Sequence, residues 1–390
     1  MYTAGPEAPV AGDQSHHGIP AVALASPTRD GGSSLRSRGR ETEARCTRTA
    51  KPSLDSGVPT ASPPPVHPSA AFAVTLWTGL EGSDRLAAWR ANVGEPVALD
   101  LAPPPRHTAV AELVVLSWNV WIGRGRLEEV VRRLRADTDA PLVVLAQEVY
   151  RSDMTVPARP AGRAARRAAG SFPIRARPRA DIVEAAHALG LNLRYAPAMR
   201  NGADRSDRGN AILSYLPLSH AWAFELPLVL ERRVPLAATL LLPGGPVHLV
   251  SAHLDPRGPP GAAWLGVTGR ARQAAHLVAQ LGGDLVILGA DLNLGRGRRE
   301  RAWRLLHEAQ FSAGIPPATP EWRHTFHALR ALPRLVLDYV LLRDRLERVA
   351  SARVERLDEH PLDRGATVFG SDHHPLLAHV ALHPPGGTGL

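Results

Sequence analysis

The chain has 390 residues and a formal net charge of +9, room enough for one large domain or two ordinary ones around a substantial core. No apolar run approaches the ~20 residues of a membrane span, and the N-terminal stretch MYTAGPEAPVAGDQ has neither a basic nor an apolar signal region, so a cytoplasmic chain is expected. Cys46 is the only cysteine, which excludes an intramolecular disulfide.

Residues 1–70 are rich in Pro, Ser, Thr, Gly and Arg and carry no sustained periodicity. Such a segment buries too little apolar surface to offset its ordering entropy, and disorder is expected. Residues 71–110 form a lead-in of ambiguous structure, with AAFAVTLW readable as a strand and SDRLAAWRA as a short helix. The domain proper spans 111–385. LVVLSW, starting at Leu113, is a continuous apolar run of the kind a buried strand needs. In GRLEEVVRRLRA, Leu127, Val130, Val131 and Leu134 follow the i, i+3, i+4, i+7 spacing of one helical face. PLVVLAQ is a second buried strand. Residues 157–179 form an Arg/Pro/Ala loop, and DIVEAAHALG is a helix stopped by Gly190. Strands follow at NAILSYL, AATLLL, VHLVSAHL, DLVILGAD, RLVLDYVLL and LLAHVAL, with a helix at ARQAAHLVAQLGG. Alternating strands and helices predict an α/β architecture.

The chemistry-bearing side chains stand at the ends of these strands. Asn119 follows LVVLSW; Gln147 and Glu148 follow PLVVLA; Asn210 precedes AILS. His253 follows HLVSA, Asp291 and Asn293 follow LVILGA, Asp338 interrupts LVL-YVLL, and Asp372 and His373 precede the last strand. A side chain at a strand end is held on rigid backbone at the rim of a cleft. Carboxylates, carboxamides and imidazoles without a thiol pair suit a hard cation such as Mg²⁺ or Mn²⁺. Hydrolysis of a phosphate ester uses such an ion to acidify water and neutralise phosphate charge.

In chain order, LSWNV, LAQEV, RGNAILS, SAHLD, GADLN, LDYVLL and SDHHPL resemble the successive motifs of the endonuclease/exonuclease/phosphatase superfamily. It includes DNase I-like nucleases, abasic-site endonucleases, sphingomyelinases and inositol-polyphosphate 5-phosphatases. The resemblance covers roughly residues 112–383. It implies a four-layer α/β sandwich of two packed mixed β-sheets flanked by helices. It also implies Glu148 as the main metal ligand, with Asn119 and Asp372 completing the metal set. By the same resemblance Asp291 positions or deprotonates water and Asn293 holds a phosphoryl oxygen. His373, its ring held by Asp338, contacts the scissile phosphate, and His253 stabilises charge there or serves the leaving group. The implied cofactor is Mg²⁺ or Mn²⁺.

The expected substrate is a phosphate ester, with nucleic acid first. A lipid or inositol phosphate is the alternative, and a catalytically silent binding module on the same fold comes last. Arg208 and Asn210 are candidates for substrate phosphate. The loop's Arg159, Arg163, Arg166, Arg167, Arg175, Arg177 and Arg179 could track a nucleic-acid backbone. The bias argues for caution, because Lys51 is the only lysine of 46 basic residues, a composition typical of a GC-rich genome. Arg232 and Arg233 could line the same cleft, but a solvated strand edge is the expected role; Trp118 and Trp121 are expected in the core, and Asp255 as a turn cap. His374 is expected to be structural. The His324–His327 spacing would permit metal ligation, but a loop or strand lead-in is the expected role.

Overall fold

A run that is apolar throughout has to bury both of its faces. In Glu112–Asn119, Leu113 and Val115 enter one hydrophobic cluster while Val114, Leu116 and Trp118 enter another. The same split recurs in Leu285–Asp291, where Leu285 and Ile287 face one way and Val286 and Leu288 the other. The computed structural model describes residues 72, 74–75, 87, 89–103, 110–161, 178–202, 204–256, 267–313, 324–327, 335–359 and 367–384, all within the unit Thr60–Leu390. The expectation of disorder for 1–70 lies outside the described residues, as do Arg163, Arg166, Arg167, Arg175 and Arg177 of the basic loop.

The described strands are β1 (Val74–Thr75), β2 (Val97–Leu99), β3 (Glu112–Asn119), β4 (Leu142–Arg151), β5 (Asn192–Arg200), β6 (Asp207–Ser214) and β7 (Ser219–Phe224). They continue with β8 (Leu236–Leu242), β9 (Gly245–His253), β10 (Leu285–Asp291), β11 (Ser312–Ala313), β12 (Asp338–Asp344), β13 (Val349–Arg356) and β14 (Leu376–Leu382). The helices are α1 (Leu127–Asp137), α2 (Ile182–Leu189), α3 (Val267–Gln280) and α4 (Arg301–Glu308). One seven-stranded mixed sheet has the order β1-β7-β8-β9-β10-β12-β11, the other β13-β14-β3-β4-β6-β5-β2. The ambiguous lead-in supplies an outer strand to each.

Three clusters make the layers. One is built from the facing sides of the two sheets. A second packs the outer face of the β3-containing sheet against α1 and α2, and the third packs the outer face of the β10-containing sheet against α3 and α4. The result is the four-layer α/β sandwich. Leu127, Val130, Val131 and Leu134 of α1 are all buried, as their spacing predicts. The Asp181 side chain caps α2 by accepting from Val183 N and Glu184 N, and Gly190 closes it at φ 63°.

Polar contacts tie the sheets together near the end of β4. Buried Gln147 donates through Nε2 to Ser251 Oγ at 3.1 Å and Gly289 O at 3.2 Å, and Ser251 Oγ donates to Ala146 O at 2.9 Å. This close approach requires Gly289. A Cβ there would lie 2.6 Å from Ser117 Oγ and 2.9 Å from Leu145 Cβ. Gly289→Ala should therefore force the sheets apart locally and cost about 1–3 kcal/mol, as overpacking does. Thermal unfolding checks this, and an unchanged Tm would show that the sheets yield without cost.

Candidate active site

Strand register assembles the site. His253, Asp291 and Asp338 are direct partners across β9, β10 and β12, and Asn119 of β3 is the partner of Gln147 on β4. Because β9 and β10 run parallel, as do β3 and β4, their carboxy-terminal ends lie together, beside the beginning of antiparallel β12.

Glu148 owes its direction to a bulge. Between the pairs Ala146↔Ala211 and Val149↔Gly209, two residues of β4 oppose one of β6. Glu148 takes φ 51° there, a left-handed conformation that a side-chain-bearing residue rarely adopts. Gly209 must be glycine, since Ala196 O lies 1.9 Å from where its Cβ would sit. The bulge divides two consecutive residues between two tasks: Gln147 crosslinks the sheets, and the Glu148 carboxylate reaches to 3.8 Å from His253 Nδ1.

Asp291 is held from three sides. Asn119 Nδ2 donates to its Oδ2 at 3.0 Å, the Asn293 N–H donates to its Oδ1 at 3.1 Å, and His253 Nε2 lies 3.2 Å from Oδ2. Asn119 Oδ1 accepts from Trp121 N, which fixes that amide. Asn293, at φ 51°, also donates through Nδ2 to Leu254 O. Burial raises the Asp291 carboxyl to about 7; Asp338 and Glu148 push the same way, against His373.

His373 donates through Nδ1 to Asp338 Oδ2 at 2.8 Å. Its Nε2 is 3.8 Å from Asp291 Oδ2 and 4.0 Å from Asp372 Oδ1. Burial opposes a charge on this ring, but Asp338, Asp291 and Asp372 outweigh it and hold the imidazole well above its usual range. His253 goes the other way. Burial, with Arg233, His373 and Arg208 nearby, holds it well below its usual range. Arg233 Nη1 donates to His253 Nδ1 at 3.0 Å, while His253 Nε2 lies 3.0 Å from Asn293 Nδ2 and 3.2 Å from Asp291 Oδ2. The two imidazoles are thus shifted in opposite directions.

Three expectations need correcting. Arg233 is not on a solvated edge: it is buried, bonded to His253 and Glu231, with Asp255 3.6 Å away. Its companion Arg232 is half-buried and paired with Glu225 at 3.1 Å. Trp118 is core and donates to His373 O at 2.8 Å, but Trp121 lies beyond the end of β3 at φ 47°. It is half-buried under the Arg124 guanidinium at 3.9 Å, because the chain turns and strand alternation stops. Finally, β12 begins at Asp338 rather than running through it. The Leu337 and Asp338 N–H groups donate to the Thr325 hydroxyl instead of a neighbouring strand.

The remaining candidates fall in or beside the site. Asp255 caps its turn by accepting from Leu230 and Glu231 N–H, which also steadies Arg233. Asn210 is buried and donates through Nδ2 to Val234 O at 2.9 Å. Arg208 donates to Asn201 Oδ1 and acts on the charge of His253. The cleft reading of Arg233 is the one the structure favours; nothing in the sequence marks one arginine among so many, and the buried Asp255, 3.6 Å away, is what holds it there.

The donor set fits a hard divalent cation. Asp291 and Asp338, both buried, share this space with the half-buried Glu148 and Asp372, and burial, with Glu148 and Asp338 adding to it, raises Asp372 to about 6. The Oδ1 atoms of Asp338 and Asp372 are buried without a hydrogen bond. Oxygen donors whose negative charge is under-compensated are what a hard cation satisfies.

The sequence profile described as "Endonuclease/Exonuclease/phosphatase family" matches residues 116–373. No curated protein matches significantly. Similar solved structures include an endonuclease/exonuclease/phosphatase from Beutenbergia cavernae, 18% identical over 70% of this chain and 72% of that one, TM-score 0.46. Sphingomyelinase C from Streptomyces griseocarneus is 19% identical over 69% and 99%, TM-score 0.44. The human Nocturnin catalytic domain with bound sulfate is 16% identical over 74% and 98%, TM-score 0.45. With two thirds of its length matched, the chain belongs to the endonuclease/exonuclease/phosphatase family.

Proposed function

We propose that the chain is a divalent-metal-dependent hydrolase of phosphate esters, acting on phosphodiesters of nucleic acid. The observation that carries this reading is geometric: His373, its Nδ1 bonded to Asp338 at 2.8 Å, brings Nε2 to within 3.8 Å of Asp291, whose carboxyl Asn119 holds at 3.0 Å. His373 is built to receive phosphate charge and Asp291 to take a proton near neutrality.

Glu148 would hold the metal, with Asn119 and Asp372 beside it. Bound there, Mg²⁺ or Mn²⁺ would acidify water and neutralise phosphate charge. Asp291, aimed by Asn119, the Asn293 N–H and His253, accepts the proton of the attacking water. The water oxygen bonds to phosphorus as the ester P–O bond breaks. His373, oriented by Asp338, meets the charge on the phosphoryl oxygens, and Asn293 positions one of them. His253 remains neutral. The mechanism needs no covalent nucleophile; it relies on positioning and electrostatics.

Arginines favour a polyanion over an isolated phosphate. Burial lowers the pKa of Arg179, with Arg124 and Arg208 close enough to add to the effect. Arg179 donates to Ile122 O at 2.6 Å, on the chain that leaves Asn119, and Arg208 also acts on His253. A row of guanidiniums next to a reacting phosphate suits the neighbouring phosphates of a nucleic acid.

The assay sets plasmid DNA and RNA beside sphingomyelin and inositol polyphosphates, with Mg²⁺ or Mn²⁺. Nucleic-acid cleavage that disappears in EDTA is expected. Turnover of only the lipid or inositol substrates would replace the proposed substrate, and full turnover in EDTA would overturn the mechanism. His373→Ala, assayed at a temperature where it is folded, should lower kcat by about 10²- to 10⁴-fold; its Tm should also fall, because Asp338 and Asp291 lose their buried partner. A loss under threefold would remove His373 from the chemistry.

A further inference from the structure

Behind His373 lies a second cluster that the phosphoesterase chemistry does not use. Three histidines from two distant segments converge there: His324 and His327 from one, and His374 from the other. Each presents one ring nitrogen, and all three nitrogens lie within 4.8 Å of one another. We infer that these three imidazoles form a binding site for a zinc ion, distinct from the carboxylate centre.

The spacing is that of ligands around an ion. A tetrahedral Zn²⁺ with bonds of about 2.0–2.1 Å sets its nitrogens about 3.3 Å apart and its imidazole ring centres about 5 Å apart. His374 Nε2 and His327 Nδ1 are 3.3 Å apart. The His374 ring centre is 5.1 Å from each of the other two, at 87° and 76°, and the His324 and His327 rings are 5.9 Å apart and nearly parallel at 20°. Rings steeply inclined to a common neighbour can aim their in-plane lone pairs at one point.

The surroundings prepare the donor. His374 Nδ1 lies 2.8 Å from Asp358 Oδ1 and 3.3 Å from Leu357 O, so Nδ1 carries the proton and Nε2 keeps a lone pair. A carboxylate behind a histidine that ligates through its other nitrogen is the usual support of a metal-bound imidazole. Arg356 fixes this support from the far side, donating to Asp358 Oδ2 and to His324 O, both at 2.8 Å. Backbone hydrogen bonds bring the two histidine segments together: His374 N donates to Thr325 O at 2.8 Å and His327 N to Asp372 O at 2.7 Å.

The donors decide the ion. Neutral imidazoles suit Zn²⁺ and are poor ligands for Mg²⁺, so the two clusters select different metals. His374 is buried while His324 and His327 are half-exposed, which leaves an approach from outside. Among the described residues the group has three donors, so the fourth position falls to water or an exogenous ligand. The site also ties down useful chain. Thr325 accepts from the backbone of Asp338, and the Phe326 ring lies 5.0 Å from that of His373.

The test uses the full chain stripped of metal and titrated with Zn²⁺ in millimolar Mg²⁺, which keeps the carboxylate centre occupied. Calorimetry should show one equivalent bound at micromolar or lower concentration, with a rise in Tm. Co²⁺ in its place should give the visible absorption of a tetrahedral site. His327→Ala should abolish both signals, and Asp358→Asn should weaken binding by about 10- to 100-fold. The inference is overturned if the parent chain takes up no zinc under these conditions, which would reduce the contact to hydrogen bonding between imidazoles. Uptake that survives His327→Ala but is lost in Glu148→Gln would overturn it too, by placing the ion among the carboxylates.

Discussion

The site is organised by one electrostatic problem, the burial of carboxylates beside one another. Glu148, Asp291, Asp338 and Asp372 act on each other's charge, and an unpaired ionised group is expensive in such surroundings. The protein answers with local compensation. His373 stays charged between Asp338 and Asp291, and Arg233 stays charged despite burial because Glu231, Asp255, Glu148 and Asp291 surround it. His253 lies beside Arg233 and is driven neutral, so it sits against Asp291 without adding charge. What remains uncompensated is oxygen: the buried, unbonded Oδ1 atoms of Asp338 and Asp372. The same charge balance that sets the protonation of the two histidines also creates the demand for a cation.

Holding those groups in place requires departures from ideal backbone. Glu148 and Asn293 both sit at positive φ, each costing on the order of 1–3 kcal/mol. The bulge at Glu148 turns its carboxylate toward the site while the preceding Gln147 crosslinks the sheets. Asn293 turns so that its backbone N–H meets Asp291 and its amide meets Leu254 O. The crosslinked sheets supply the rigidity that keeps these residues where an unstrained chain would not leave them.

Much of this could be read from the sequence because the core strands are buried on both faces. Continuous apolar runs located β3, β4, β9, β10 and β14, and the polar residue at the end of each run marked the site. What escaped lacked that contrast. β5 contains Pro197 and the buried Arg194 and Arg200, whose charges imitate a surface segment. β13 is an edge strand with largely exposed side chains, β7 opens on the polar pair Ser219 and His220, and α4 is short, with Arg301 and Arg304 set among its apolar positions. For Arg233 the abundance of arginine favoured a solvated edge over the cleft. The His324–His327 pair met His374 only through folding, across 47 residues of chain.

The account stands or falls on whether the buried carboxylates are a cation site. Crystals soaked in Mn²⁺ and measured for anomalous scattering locate the ion directly. The charge argument predicts a peak bounded by Glu148, Asp372 and Asn119, near but not at the histidine cluster. Ordered carboxylates with no peak among them, at Mn²⁺ concentrations in the millimolar range, would contradict it.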